Sequence, residues 1–350
     1  MTSPERLYHL ALRELHTTAG ATFVVRDGWS LPGSYGDPRA EHAALRGSAA
    51  VFDRSERSRL LVTGTDAMDV LAAVFAGHVN ELEEGRAMRT VRLDEAGAIR
   101  DVVLIARTGG IAYMVSGEPG QRSETFEQLR GAVQADFDAK VDDRTESTCL
   151  IGLAGPAAGD AARTQLSAAL PARLQTLQSV TFEFHGFRTM VTRTSDTGED
   201  GFEFMVAPAV AQHMIDTLRG AGIALAGHVA LECARVEACV PAFEPDLAPG
   251  LSPAEADLDV LLGIPGGREE RILSALIVDG DGVPGVGAAI TMEGRGVGEM
   301  RSCLRSFALN ATIGLGIIDT REALPGRTFS VAGAAASIVA KPFLRRRQTG

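Results

Sequence analysis

The order of apolar segments between residues 59 and 133 restricts the fold more than any other feature of this sequence. Residues 94–98, Asp-Glu-Ala-Gly-Ala, lie between two runs of strand-forming residues, which predicts a β-hairpin. The predicted elements follow the order β-helix-β-β-β-helix, with bounds 59–62, 66–76, 90–93, 99–105, 111–115 and 122–133. Strands joined by a hairpin, with helices outside them, predict a small α+β unit around an antiparallel sheet.

The rest of the chain extends this pattern. A helix is predicted over 37–47, and the second half adds a strand at 149–153, a helix after Gly155-Pro156, a hairpin across 189–206 and a helix at 227–238. From Ile272 onward, short strands and glycine turns predict a separate β-rich C-terminal unit. The Pro- and Gly-dense stretch 241–267 is the best candidate for a linker. A chain of 350 residues should hold two or three such units.

Charge and cysteine content restrict the class of protein. With 34 basic and 45 acidic side chains the net charge is −11, which argues against a nucleic-acid partner. The basic run 345–347 is interpreted as a solvated tail. No apolar run approaches the roughly 18 residues of a membrane span, and the N-terminus lacks the layout of a secretory signal. We therefore expect a cytoplasmic protein with no membrane segment and with its four cysteines as free thiols.

Asp101 is the clearest candidate for chemistry. Alternate side chains of a strand share a face, which would place Asp101 with Ile99, Val103 and Ile105. A carboxylate between apolar faces costs several kcal/mol unless it is paired or protonated, and burial would raise its pKa. Two interpretations follow: a group that accepts or shares a proton, or an ordinary buried aspartate satisfied by Arg100 or by a backbone amide.

Other local motifs carry less information. Glu199 lies in an acidic, glycine-bearing loop, residues 195–201, that alone indicates only a turn between two strands. Residues 280–285 match Gly-x-Gly-x-x-Gly, but a proline and further glycines indicate a strand where a dinucleotide site needs a helix. Cys233 and Cys239 point in different directions on a predicted helix, and no histidine pair has ligand spacing. We therefore predict no metal site.

A series of longer motifs follows one order along residues 16–345. In that order they are Gly28-Trp29, Pro32, Tyr35-Gly36, Glu41-His42, Arg46, Phe52-Asp53 with Ser55, Val62-x-Gly64, Gly97-Ala98-Ile99-Arg100-Asp101, Gly152-Leu153-Ala154-Gly155-Pro156, Thr197-Gly198-Glu199-Asp200-Gly201-Phe202-Glu203, Arg235-Val236-Glu237-Ala238 and Gly267-Arg268-Glu269. The series resembles the T-proteins of the glycine cleavage system, members of the folate-binding aminomethyltransferase superfamily. The segment that begins at Thr197 matches that family's Thr-Gly-Glu-x-Gly-Tyr-Glu almost completely.

The resemblance implies a fold of class α+β with three domains arranged like a cloverleaf around a central channel that holds tetrahydrofolate. Two domains would be α+β units with antiparallel sheets, and the third a C-terminal β-barrel. The implied boundaries are residues 1–55 with 145–245 for a discontinuous folate-binding domain, 56–144 for the second domain, and 246–350 for a linker and the barrel.

The resemblance also implies roles for residues. Asp101 occupies the position of the family's catalytic carboxylate beside the reactive folate nitrogens, and Glu199 occupies the position that hydrogen-bonds the pterin ring. Arg235, within the Arg-x-Glu-Ala match, is expected among the folate-binding residues. Arg89 and Asp196 stand where the family usually has tyrosines that line the pterin site, so they are expected to lie there too.

The positions that depart from the family predict an altered pocket. Two opposite charges in place of two aromatic residues predict a compensating ion pair between Arg89 and Asp196. The alternative is that Arg89 stays free and binds an anionic substrate or the folate tail. The second aspartate of the family signature is Val102 here, an arginine is replaced by Leu231, and the histidine after Phe-Asp-x-Ser is replaced by Glu56.

The function that the resemblance implies is tetrahydrofolate-dependent transfer of an aminomethyl or methyl group from a small amine- or ether-type donor. Asp101 would orient the folate nitrogen and assist with its proton. The family's partner is a lipoyl carrier protein, which is itself acidic. A chain of net charge −11 would associate with it slowly unless it had a local basic face, for which the candidates are Arg54, Arg57, Arg59, Arg86, Arg89 and Arg92. The alternative is that these arginines bind the glutamate tail of the folate.

Two alternatives stay open at this stage. One is a folate-binding accessory protein, like the branch of the family that aids iron–sulfur cluster assembly, although residues 263–269 lack the cysteine of that branch's motif. The other is a paralogue that kept the fold and acts on an unrelated small molecule, which Arg89 and Asp196 make credible.

Overall fold

The structure is a computed structural model that describes residues 7–344 except 169, 171–173, 249, 265 and 268, so the basic run 345–347 and Arg268 of the last motif lie outside the described residues. A three-stranded sheet of order β1-β3-β2 opens the fold, formed by β1 (Tyr8–His9), β2 (Thr22–Arg26) and β3 (Trp29–Ser34). Helix α1 (Arg13–Thr18) lies between β1 and β2. Helix α2 (Pro38–Gly47) begins after Asp37, whose carboxylate accepts a hydrogen bond from the amide of Arg39 at 2.9 Å and caps the helix.

After β4 (Ala50–Asp53), the chain builds a five-stranded sheet of order β6-β7-β8-β5-β9 in which every pairing is antiparallel. Its strands are β5 (Ser58–Thr63), β6 (Ala87–Leu93), β7 (Ile99–Gly109), β8 (Ala112–Gly117) and β9 (Lys140–Asp143). Helices α3 (Ala67–Val74) and α4 (Arg122–Ala132) cover one face. The predicted hairpin is β6–β7, and the Asp94 carboxylate closes its turn by accepting the amides of Ala96 and Ala98.

A six-stranded sheet of order β11-β12-β13-β10-β4-β14 includes the earlier strand β4. The other strands are β10 (Cys149–Ala154), β11 (Ser179–Phe184), β12 (Phe187–Arg193), β13 (Gly201–Val206) and β14 (Ala224–Leu225). Helix α5 (Ala158–Ala161), a π-helical turn (Ala162–Leu166) and helix α6 (Pro208–Gly220) cover its core face, while α7 (His228–Glu237) packs against α2. The chain thus leaves this sheet after β4 and returns at β10.

The C-terminal strands form a closed six-stranded barrel of order β15-β18-β17-β16-β19-β20. They are β15 (Arg271–Val278), β16 (Ala289–Met292), β17 (Arg295–Arg305), β18 (Thr312–Asp319), β19 (Thr328–Val331) and β20 (Ala334–Val339). Part of the barrel core consists of Leu276, Ile290, Met300, Ile318 and Phe329. The predicted α+β class with a C-terminal barrel is therefore confirmed. The sheets are antiparallel, as predicted, except where β14 pairs in parallel with β4 and β1 pairs in parallel with β3. The domain boundaries stay predictions.

The stretch 241–267, predicted as a linker, is packed against its neighbours where the structure describes it. A helical turn (Phe243–Leu247) and helix α8 (Asp259–Leu262) lie within it. Leu247 and Leu251 are buried in one core with Ile99 of β7 and Leu315 of β18. The stretch therefore joins the five-stranded sheet to the barrel through shared apolar contacts.

Two further 3-10 turns occur at Val79–Glu81 and Pro119–Gln121. Among the helices that the structure describes, none is long and apolar enough to cross a membrane.

Candidate active site

Asp101 is fully buried in the five-stranded sheet, at 0% exposure. Its Oδ2 accepts a hydrogen bond from the Thr125 hydroxyl at 2.6 Å, and its Oδ1 accepts the backbone amide of Glu118 at 2.9 Å. Burial raises the pKa of Asp101 to about 7; the two hydrogen bonds oppose that rise, and the Glu118 charge adds to it. Gly117 is required beside it, because a Cβ at that position would lie 2.7 Å from Asp101 Oδ2.

A β-bulge decides which face of the sheet Asp101 occupies. Arg92 pairs with Asp101 but Leu93 pairs with Ile99, so Arg100 is an extra residue on β7. Neighbouring residues of β6 point to opposite faces, and the bulge therefore separates Ile99 from Asp101. The prediction that the two share a face was wrong.

The consequence is that Asp101 faces helix α4 with Val103 and Ile105, whereas Val102 and Arg89 lie on the opposite face. We call this opposite face, which α3 and α4 leave uncovered, the seam face. Of the two predicted partners of the buried carboxylate, the backbone amide is correct. The side chain of Arg100 instead binds Asp94 at 2.8 Å.

The ion pair predicted between Arg89 and Asp196 is confirmed, with Arg89 Nη2 2.7 Å from Asp196 Oδ1. Asp196 follows β12 of the six-stranded sheet and Arg89 lies on β6, so the pair links the two sheets. Two more guanidinium groups approach Asp196 Oδ2, Arg54 at 3.4 Å and Arg57 at 3.6 Å. Although burial opposes ionisation, these three arginines hold the pKa of Asp196 far below its usual range. Arg89 also donates to Thr194 Oγ1 at 2.8 Å, so it is not free.

Further carboxylates lie beside these arginines. Arg54 binds Glu56 at 3.2 Å, and Arg57 binds Glu118 at 3.2 Å. Burial raises the pKa of Glu203, on β13, and the charge of Asp196 adds to that rise. The positive charges of the same three arginines oppose it. The arrangement is a mixed-charge cluster at the boundary between the two sheets. Its members are Arg54, Arg57, Arg89, Glu56, Glu118, Asp196 and Glu203.

The arginines expected to form a basic face are largely inside the protein. The exposed fraction of the side chain is 17% for Arg54, 10% for Arg57 and 5% for Arg92, and Arg59 is fully buried. Arg59 donates to the backbone carbonyls of residues 55, 57, 145 and 148, which makes it a structural cation. Arg57, Arg59 and Arg92 therefore do not present a basic surface to a protein partner, whereas Arg54, Arg86 and Arg89 are partly exposed.

Glu199 lies in the loop between β12 and β13, with 7% of its side chain exposed. Arg46 Nη1 binds Glu199 Oε1 at 3.0 Å and the carbonyl of Thr197 at 2.8 Å. Gly198 has φ +79°, and a Cβ there would lie 2.6 Å from Ala238 Cβ, which explains the glycine of this motif. The loop is thereby fixed against helices α2 and α7.

Arg235, on α7, is tied into the junction with the barrel. It binds Asp246 Oδ2 at 2.6 Å and the carboxylate of Glu232, and it donates to Ser302 Oγ on β17 at 2.8 Å. Ser302 in turn donates to Asp246 at 2.5 Å. Each described nitrogen of this guanidinium already has a protein partner, so a role for Arg235 in folate binding stays a prediction.

One buried cluster was missed from the sequence. His42, Cys233 and Glu237 place their donor atoms within 4.8 Å of one another. The Glu237 carboxylate is already occupied, because it accepts hydrogen bonds from His42 at 2.8 Å, Arg46 at 2.7 Å and Ser306 at 2.5 Å. Despite its burial, these bonds lower the pKa of Glu237 to about 2. The cluster is a structural junction of α2, α7 and the barrel, and the four-residue spacing of Cys233 and Glu237 on one helix was its only local signal.

The predicted site residues thus fall into separate networks. Arg89 and Asp196 are in direct contact, whereas Glu199 is held by Arg46 and Arg235 by Asp246. Asp101 is connected to the mixed-charge cluster only indirectly, through the backbone of Glu118. Arg54 and Arg57, which were expected in a basic face, and Glu118, for which the sequence indicated no role, also belong to this site.

Comparisons with known proteins agree with this architecture. The family model of the GCVT N-terminal domain matches residues 12–264, and that of the glycine cleavage T-protein C-terminal barrel domain matches residues 271–344. An aminomethyltransferase of Streptomyces avermitilis is 31% identical over 97% of this chain and 98% of its own length. One from Streptomyces coelicolor is 30% identical over 99% of this chain and 100% of its own.

A solved structure gives the same fold. The crystal structure of glycine cleavage system aminomethyltransferase T from Bartonella henselae superposes with a TM-score of 0.88 over 97% of this chain and 99% of that one, at 23% identity. The two family models, the relatives of similar length and the shared fold lead to one conclusion. The chain belongs to the glycine cleavage T-protein family of aminomethyltransferases.

Proposed function

We propose that this protein is a tetrahydrofolate-dependent transferase that moves an aminomethyl or methyl group from a small amine- or ether-type donor. The observation that carries the proposal is the extent of the family relationship. Both family models match in order, and relatives named aminomethyltransferase align with 97% and 99% of the chain. Tetrahydrofolate, when bound, would supply the nitrogens that receive the one-carbon unit.

The chemistry of Glu199 fits a pterin ring. Arg46 holds Glu199 Oε1 at 3.0 Å, and within the described part of the chain Oε2 has no hydrogen-bond partner. A carboxylate with a fixed orientation and one available oxygen suits the N–H donors of an amino-pyrimidine edge. Hydrogen bonds to an ionised acceptor are about twice as strong as neutral ones. We expect Glu199 to hold the ring while Arg46 fixes its direction.

The Arg89–Asp196 pair makes the boundary between the sheets polar where the family has aromatic side chains. Each aromatic contact is worth about 1 kcal/mol beyond its buried area. We therefore expect tetrahydrofolate to bind more weakly here, or in a shifted position, than in a relative with both tyrosines. The double variant Arg89→Tyr with Asp196→Tyr should tighten binding by roughly 10- to 30-fold.

The donor is the open part of the proposal. A lipoyl carrier protein is the natural partner of the family, but of the six arginines expected to meet it three are buried and the other three are only partly exposed. A small donor needs no such surface. We therefore favour a small molecule with a transferable carbon next to nitrogen or oxygen.

The test is calorimetric titration with tetrahydrofolate, followed by mass spectrometry of the folate after incubation with N-methyl amines, methyl ethers or an aminomethylated lipoyl carrier protein. Saturable binding and a one-carbon folate product would support the proposal. Binding without transfer from any donor would indicate an accessory protein. If the protein does not bind tetrahydrofolate at millimolar concentration, the proposal is wrong and a paralogue with another substrate is indicated.

A further inference from the structure

Strand β7 presents no carboxylate to the seam face. Asp101 lies on the helix-covered side, and the next residue, which reaches the seam face, is Val102. The other side chains of β7 on that face, Leu104 and Ala106, are also apolar. A carboxylate at this position must therefore come from another strand.

Glu118 supplies one. It follows β8, and its Oε1 lies 3.2 Å from Arg57 Nη1 in the mixed-charge cluster. Within the described residues, Glu118 Oε2 has no hydrogen-bond partner, and 19% of the side chain is exposed. One oxygen is thus fixed by a guanidinium while the other remains available.

The backbone of Glu118 is held from the opposite side of the sheet. Its N–H donates to Asp101 Oδ1 at 2.9 Å, and Gly117 leaves room for that contact. Pro119 follows, which restricts Glu118 to the extended conformation found here, φ −72° and ψ 142°. Asp101 therefore fixes the point from which the Glu118 side chain departs.

Glu118 faces a space that several parts of the chain share. Arg57, its partner, also approaches Asp196 of the six-stranded sheet at 3.6 Å. Asp27, an exposed residue at the tip of the β2–β3 hairpin, has a pKa raised by partial desolvation and then by the charges of Glu118 and Glu244. Charged groups therefore interact electrostatically across four parts of the chain. These are the N-terminal hairpin, the two large sheets and the segment before the barrel.

We propose that Glu118 is the carboxylate that contacts the reacting nitrogen of the bound folate, and that Asp101 is the positioning residue that holds Glu118 in place. This inference rests on the proposed function. In this proposal the carboxylate that contacts the folate nitrogen is Glu118, on the seam face, and not Asp101, which faces α4. Glu118 Oε2 accepts the hydrogen bond of the N–H group, and Arg57 keeps the carboxylate oriented.

The experiment measures tetrahydrofolate affinity by calorimetry for the intact protein and four variants. Glu118→Gln should weaken binding by about 10- to 100-fold, because it replaces a charged acceptor by a neutral one, and Glu118→Asp should fall between. Glu124→Gln is the matched control: Glu124 also pairs with an arginine beside α4, but its side chain is 55% exposed. It should bind within about twofold of the unmodified protein, which is within the ordinary effect of a surface change.

Positioning by Asp101 is tested by the fourth variant, Asp101→Ala, which removes the acceptor of the Glu118 amide, and by its combination with Glu118→Gln. If Asp101 acts through Glu118, Asp101→Ala weakens binding, and the double variant is no weaker than Glu118→Gln alone. A purely structural role would make the two effects additive. Should Asp101→Ala fail to fold, Thr125→Val, which removes the hydroxyl that orients Asp101, replaces it in both comparisons.

The outcomes separate the two proposals. Tetrahydrofolate binding by the unmodified protein with unchanged affinity in Glu118→Gln overturns this inference and leaves the proposed function standing. Equal losses in Glu118→Gln and Glu124→Gln also overturn it, because the effect would then be one of general charge. Absence of binding by the unmodified protein overturns both.

Discussion

Replacing Asp101 by asparagine removes an ionisable group from a fully buried position and keeps an oxygen that can accept the Glu118 amide. Burial raises the pKa of Asp101 from 3.8 to about 7 in the folded protein. Between those values the unfolded chain releases its proton while the folded protein retains it. The contribution of Asp101 to stability is therefore complete below about pH 3.8 and is lost as the pH rises through about 7.

The size of this effect follows from the width of the pH window. Each unit of pKa difference corresponds to about 1.4 kcal/mol. The interval from 3.8 to about 7 therefore sets an upper limit of roughly 4 kcal/mol on the loss. Asp101→Asn has no such dependence, so the free energy of unfolding of the unmodified protein should fall relative to that of the variant between pH 4 and pH 7.

Urea denaturation followed by circular dichroism at pH 4, 5, 6, 7 and 8 measures this difference, because all other titrating groups are common to both proteins. Asp94→Asn is a control that should show almost no pH dependence in this range. Backbone hydrogen bonds, with that from Ala98 foremost, lower the pKa of Asp94, so its contribution to stability is present from pH 4 to pH 8 and is lost only as the pH falls below about 3.8. A constant difference between the unmodified protein and Asp101→Asn across this range would refute the raised pKa, and would mean that the hydrogen bonds from Thr125 and Glu118 offset burial.

Three further predictions concern the surrounding networks. Asp196→Ala should destabilise the protein in urea denaturation by at most about 3 to 5 kcal/mol, because Arg89 loses its carboxylate partner while Arg54 and Arg57 keep Glu56 and Glu118. A smaller loss in the double variant with Arg89→Ala would confirm the coupling, and additive losses would contradict it. Glu199→Ala should weaken tetrahydrofolate binding by about 1.5 to 3 kcal/mol in calorimetry, and unchanged affinity would exclude a pterin contact. Glu237→Gln should lower stability at pH 7 by about 3 kcal/mol, since the pKa falls from 4.5 to about 2. This deficit should vanish in denaturation experiments as the pH approaches 2, and a deficit that persists there would show that packing, not charge, is responsible.

Local sequence patterns determined the secondary structure of the sheets. The β6–β7 hairpin was predictable because Asp94 and Gly97 form a turn whose hydrogen bonds involve only neighbouring residues. Motif order indicated the family, since each motif serves a local need. In the Thr-Gly-Glu motif, for example, Gly198 adopts a positive φ that favours glycine.

The Arg89–Asp196 contact was also predictable, although its members lie on different sheets. The resemblance placed both positions at one site, and two opposite charges at one buried site must compensate each other. The sequence could not predict that Arg54 and Arg57 would join them at 3.4 and 3.6 Å, because those distances depend on how the two sheets meet.

Tertiary structure alone decided which way the central carboxylates face. Alternation along β7 predicted Asp101 and Ile99 on one face, but the bulge at Arg100 separated them, and a bulge is a property of strand pairing. Likewise, His42 and Glu237 lie 195 residues apart and meet only because α2 packs against α7. The sequence by itself determined the helices and strands, since these follow from local conformational preferences. It also determined which side-chain groups are present. Long-range strand pairing decided which side chains share a face of the sheet, and hence which carboxylate lies on the seam face. The reason is that a single extra residue in one strand reverses the direction of every side chain beyond it.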